Sequence, residues 1–143
     1  MLFLFDRNMP EKLARMLDHF DRCHRVIWHD DKYERTTADT EWLQDAASWP
    51  ERPAIISGDA RILTNPAEAQ VLASLPLTFF HFVPAWFSLG WPDMAWKAVK
   101  IWPEIVANAT PRRPTIWRVP MTASKLDLFC PTAELGRFKG RRH

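Results

Sequence analysis

At 143 residues, with 47% hydrophobic and 25% charged side chains, the chain has the size and composition of one globular domain, which excludes wholesale disorder and two full-sized domains. Two cysteines without a short-range pattern, Cys23 and Cys130, exclude a disulfide framework and a zinc site, and no apolar run approaches a membrane span, so the expectation is a cytoplasmic protein with no membrane partner. The net charge of +2 hides an asymmetry: residues 1–109 carry 11 Lys+Arg and 15 Asp+Glu, whereas residues 110–143 carry 8 and 2. An acidic body suits cations and a basic end suits polyanions or an acidic partner, a solubilising end being the plain alternative.

Met1-Leu2-Phe3-Leu4-Phe5 runs without a break into Asp6. This reads as a buried parallel strand ending at a polar rim, where ligands bind in open α/β sheets. Pro10 suits the first helical position with Asn8 or Met9 as cap, and Leu13, Met16, Leu17 and Phe20 recur at helical spacing. Arg25-Val26-Ile27-Trp28 is a second strand, and His29 to Arg35 is a loop on the same rim if the crossover is right-handed.

Thr36 or Thr37 caps a second helix through Trp42, Leu43, Ala46 and Ala47, which Pro50 stops. At about 100° per residue, Asp39 falls at the middle of its apolar face and Glu41 beyond the edge. Pro53 to Ser57 is a third strand that ends at Gly58-Asp59, repeating the grammar of the first. Asn65-Pro66 opens a helix through Ala67, Val71, Leu72 and Leu75, and Leu77 to Val83 is a fourth strand. The alternation argues for an α/β fold, a parallel sheet covered by helices on both faces.

Pro84 to Trp91 is an aromatic loop, and Pro92 starts a helix with Ala95, Val99, Trp102 and Val106 on one inward stripe that Pro103 should kink or split. Thr115 to Val119 is a last strand, placed on an edge because Pro120 closes it. The division is therefore a body over 1–120 and a basic, poorly ordered end over 121–143.

Asp6, Asp39, Glu41 and Asp59 converge on the rim if this topology holds. Carboxylates held together either share protons or bind a hard cation such as Mg²⁺ or Mn²⁺, and oxygen-only donors without a His/Cys set favour the cation. Each acid has a plainer role: Asp6, Asp39 and Glu41 beside helix N-termini, Asp59 in a turn, Asn8 as a cap. Arg61 can pair with Asp59, reach a phosphate or lie on the surface. His19, His24 and His29 recur every five residues, which matches no ligand spacing, and His81 is a strand residue.

LFDRNMP at 4–10, TADTEW at 37–42 and SGDARIL at 57–63, in that order, resemble the PIN-like domains of VapC-type toxins and related small nucleases. The resemblance covers roughly the first 75 residues. It implies a single PIN-like three-layer domain with a central, mostly parallel sheet flanked by helices. It also implies a Mg²⁺- or Mn²⁺-dependent endoribonuclease, the toxin of a toxin-antitoxin pair, with an RNA substrate, a small antitoxin protein as partner and a homodimer as one assembly. Asp6, Asp39, Glu41 and Asp59 carry over as catalytic and metal-binding acids. Asn8, Arg7 and Arg61 stand as weaker substrate contacts, and Arg112, Arg113 and Arg137 to Arg142 as basic contacts to phosphates or to the partner. Relatives often have an acid where this chain has Arg7. That exchange opens a second reading, a catalytically degenerate module that binds RNA or protein; a phosphoacceptor domain ranks last, for want of a paired acid and a late lysine.

Overall fold

Leu2–Phe5 forms strand β1, whose four side chains are all buried, as a continuous apolar run requires of a strand covered on both faces. The computed structural model describes residues 1–59, 65–109, 115–122 and 125–129. In chain order β1 is followed by α1 (Glu11–Phe20), β2 (Arg25–Trp28), α2 (Asp39–Ala47), β3 (Ala54–Ser57), α3 (Pro66–Ser74), β4 (Phe79–Phe82), α4 (Trp91–Asn108), β5 (Ile116–Val119) and β6 (Asp127–Phe129). The six strands lie in the order β2-β1-β3-β4-β5-β6, all parallel except the β5–β6 pair.

Strand alternation sorts the core into two layers. Phe3, Phe5, Ile56, Phe80 and Phe82 face α1 and α4, whereas Leu4, Ile55, Phe79 and Ile116 face α2 and α3 through Trp42, Leu43 and Leu72. The chain is thus an α/β domain of three layers. Each of these large side chains contributes roughly 1.5 to 3 kcal/mol on burial. Among the described residues, no helix is long and apolar enough to cross a membrane.

Several expectations are corrected. β5 is not an edge strand, because β6 pairs with it inside the segment expected to be a poorly ordered end. Helix α4 runs through Pro103 as one element; burial of Ile101, Trp102 and Ile105 around it outweighs the roughly 3 kcal/mol that an interior proline costs. Its buried stripe is Met94, Ala98, Ile101, Trp102 and Ile105, turned from the expected one, and Trp96 points outward at 52% exposure. Phe20 is also exposed. Pro10 and Ala38, rather than Asn8, Met9, Thr36 or Thr37, occupy the N-cap positions of α1 and α2.

Candidate acidic site at the turning point of the sheet

From β1 the chain crosses to β2 on one side, while β3, β4 and β5 build outward on the other. The connections therefore diverge between β1 and β3, leaving a crevice beyond their carboxyl ends, which is where open α/β sheets bind ligands. β1 ends at Asp6 and β3 at Gly58-Asp59. Two of the expected acids thus stand on either side of that crevice.

Short bonds join the two strand ends. The Asp6 N–H donates to the Ile56 carbonyl at 2.8 Å, the Ser57 hydroxyl donates to Asp6 Oδ2 at 3.0 Å and accepts the Asp59 N–H at 3.1 Å. Asn8 is a bridge rather than a cap: its Oδ1 accepts the Gly58 N–H at 3.2 Å. Gly58 has a steric reason to be glycine, since a Cβ there would overlap the Phe87 ring and lie 3.3 Å from Met9 Sδ.

Asp6 is only 6% exposed. Burial, followed by repulsion from Asp39 and then from Asp59, pushes its carboxyl up to about 6, against the opposing hydrogen bonds from Ser57 and the Arg7 backbone. Asp39, the first residue of α2, accepts the Trp42 indole N–H at 3.1 Å and lies 3.8 Å from Arg7 Nη2. The same guanidinium donates through Nη1 to the Arg35 carbonyl. Arg7 is therefore turned toward α2 and the loop before it.

Asp6, Asp39 and Asp59 line one cavity of about 190 Å³ between the sheet, α2 and α3. Glu41 does not join them. It is exposed, because two residues of helix turn it about 200° away from Asp39. Among the described residues no group of three or more His, Cys, Asp or Glu side chains is close enough to hold a metal ion, so the three acids share a cavity without forming a finished cluster. Arg61, Arg112, Arg113 and Arg137 to Arg142 lie outside the described residues.

Two neighbours escaped the sequence reading. Ser57 was hidden because its contact with Asp6 depends on β1 lying beside β3; the available signal was a small polar residue two places after Ile55, on the same face. His81 pairs in register with Ser57 and with Arg118 on the flanking strands. It is fully buried, and neither ring nitrogen has a hydrogen-bond partner among the described residues. Burial lowers its pKa to about 4, with Asp59 opposing and Arg118 reinforcing the shift, so the ring is neutral at pH 7.

A family model described as PIN like domain matches residues 1–84, a stretch that holds β1 to β4 and all three cavity acids. No curated protein and no solved structure matches the chain significantly.

Proposed function

Since the chain belongs to the PIN-like domain family, a nuclease-type fold, we propose that it is a metal-dependent endoribonuclease that hydrolyses RNA phosphodiester bonds at the β1/β3 crevice. The observation that carries this reading is Asp6: a buried carboxyl at a strand end, destabilised as an anion by two further carboxylates on the same cavity. A hard divalent cation, Mg²⁺ or Mn²⁺, suits this donor set, because every donor is an oxygen and a positive charge offsets both the burial and the lesser repulsion that raise Asp6. Asp6, Asp39 and Asp59 would hold it, and would have to draw closer together than they stand here to do so. When bound, such an ion supplies charge stabilisation to the reacting phosphate and a lower pKa to the attacking water. Ser57 and Asn8 fix the two strand ends, and burial keeps bulk water away from Asp6. The resemblance to VapC-type toxins adds the finer reading, a cytoplasmic toxin neutralised by a small antitoxin protein.

The test is RNA cleavage with Mn²⁺ or Mg²⁺, its abolition by EDTA, and its loss in folded Asp6→Asn and Asp59→Asn proteins. Full activity in both variants would falsify the assignment. The Arg7–Asp39 pair favours a second reading, a module that binds RNA or a protein without cleavage. The two separate on metal titration, since a hydrolytic site binds Mn²⁺ measurably and loses that binding in Asp6→Asn.

A further inference from the structure

Beyond the three acids and Ser57, the described residues that line the inside of the cavity are apolar. Leu43 and Leu72 face it from the two helices, and Ile55 and Phe79 form its floor, with Trp42 beside them; none of the five is more than 6% exposed. Its lip is different: Thr40 and Ala67 are exposed and Val71 is 38% exposed. A flat ring lying in the cavity would therefore put its faces against hydrocarbon and keep one edge in water at the lip. The volume, about 190 Å³, is below the roughly 300 to 1,000 Å³ of pockets that enclose drug-sized ligands. It suits one ring system and excludes a whole nucleotide.

Neither the fold nor the acidic site requires such a space. A well-packed interior has few voids larger than a water molecule, yet this one opens directly beside the carboxylates. We infer that the cavity is a base-binding subsite, which receives the nucleobase next to the phosphate being cleaved. The inference rests on the hydrolytic reading of the acids: whatever enters the cavity is attached to what reacts at the carboxylates on its wall, and in a nucleic acid the flat apolar-faced group there is the base. A base must leave its helical stack to enter, so the substrate class is single-stranded or locally unpaired RNA.

Binding can be read apart from cleavage. Adenosine and uridine 5′-monophosphates are titrated with Mg²⁺ into labelled protein and followed by NMR, with ribose 5-phosphate as the baseless control. The expected result is binding at least about tenfold tighter than the control, of the order contributed by stacking one base on apolar and aromatic walls, with shifts at the Trp42 indole N–H and the Ile55 and Leu72 methyls. Val71→Trp, which fills the cavity from its exposed lip, should abolish that advantage at an unchanged melting temperature; Ala67→Trp repeats the test from the first turn of α3 should the former unfold. Equal binding of nucleotide and ribose 5-phosphate, or a retained advantage in folded variants, overturns the subsite. A protein that binds bases there but cleaves nothing keeps the subsite and loses the hydrolytic reading. Cleavage with no base advantage does the reverse.

Discussion

Replacing Asp6 by asparagine should stabilise this protein at neutral pH while removing the proposed RNA cleavage. A carboxyl held at about 6 instead of 3.8 binds its proton roughly 3 kcal/mol more tightly in the folded state than in the unfolded one, at about 1.36 kcal/mol per pH unit. Below pH 3.8 both states are protonated and that advantage is whole. Between 3.8 and about 6 the folded state holds more protons than the unfolded one, so stability declines as pH rises, and above about 6 the advantage is gone. Asparagine keeps the shape, still accepts the Ser57 hydroxyl and never ionises. Its amide N–H₂ must find an acceptor, which trims the expected gain to about 2 kcal/mol at pH 7.5, a rise in melting temperature of roughly 4 to 8 °C for a chain of this size. Melting curves of the two proteins from pH 4 to 7.5 should cross: the variant is slightly the less stable at the acid end, where only its amide cost counts, gains on the native protein as pH rises toward 6, and keeps a constant lead above it. Divalent cation at 100 times its dissociation constant should return about 2.7 kcal/mol to the native protein alone. A variant less stable than the native protein at pH 7.5, or a difference independent of pH, refutes the claim that burial and repulsion burden Asp6.

Arg7→Met removes the guanidinium beside Asp39; because both side chains are about one-third exposed, stability should change by less than about 1 kcal/mol, while Mn²⁺ affinity should rise several-fold by calorimetry. Unchanged affinity would show that Arg7 does not compete for Asp39. Gly58→Ala should cost about 1 to 2 kcal/mol in urea unfolding through its overlap with Phe87, and the cost should vanish in a Phe87→Ala background; persistence there points to another cause. At the far side of the domain, Asp21 accepts the Trp102 indole N–H at 2.8 Å and the backbone N–H groups of Cys23 and His24. Burial acts to raise its pKa, but these bonds and the His24 ring prevail and lower it. Asp21→Ala should therefore destabilise the fold by about 2 to 3 kcal/mol without altering metal affinity. In the native protein this contribution is present above pH 3.8 and disappears as pH falls through the depressed folded value, which the difference between acid titrations of the two proteins measures.

Strands β1 to β5 were legible because each is an apolar run bounded by a residue that stops it: β2 spans Arg25 to Trp28, and β1 and β3 end where Asp6 and Gly58 begin. Asp39 was legible from the helical wheel alone, its partial burial following from its place on the apolar face of α2. Three-residue β6 carries no periodicity and exposes Leu128 at 60%, so only its pairing with β5 identifies it. The stripe of α4 was misplaced because Trp91, Trp96 and Trp102 lie on different sides of the helix, which blurs the apolar period. Glu41 was grouped with Asp39 as a rim acid although the wheel put it beyond the edge of the apolar face, and it stands exposed outside the cavity lining. The roles of Asn8 and Ser57 depend on which strands become neighbours, information that local patterns do not contain.

The ties between β1 and β3 have a mechanical outcome. Asp6 and Asp59 hang from one rigid frame, since the Ile56 carbonyl, the Ser57 hydroxyl and the Asn8 amide connect them through sheet pairing. Asp39 hangs instead from a nine-residue helix and answers to a partly exposed arginine. The crevice thus has one wall set by sheet pairing and the other carried by a helix, so the spacing of Asp39 from the other two acids is fixed by how Trp42, Leu43 and Ala46 seat α2 on the sheet.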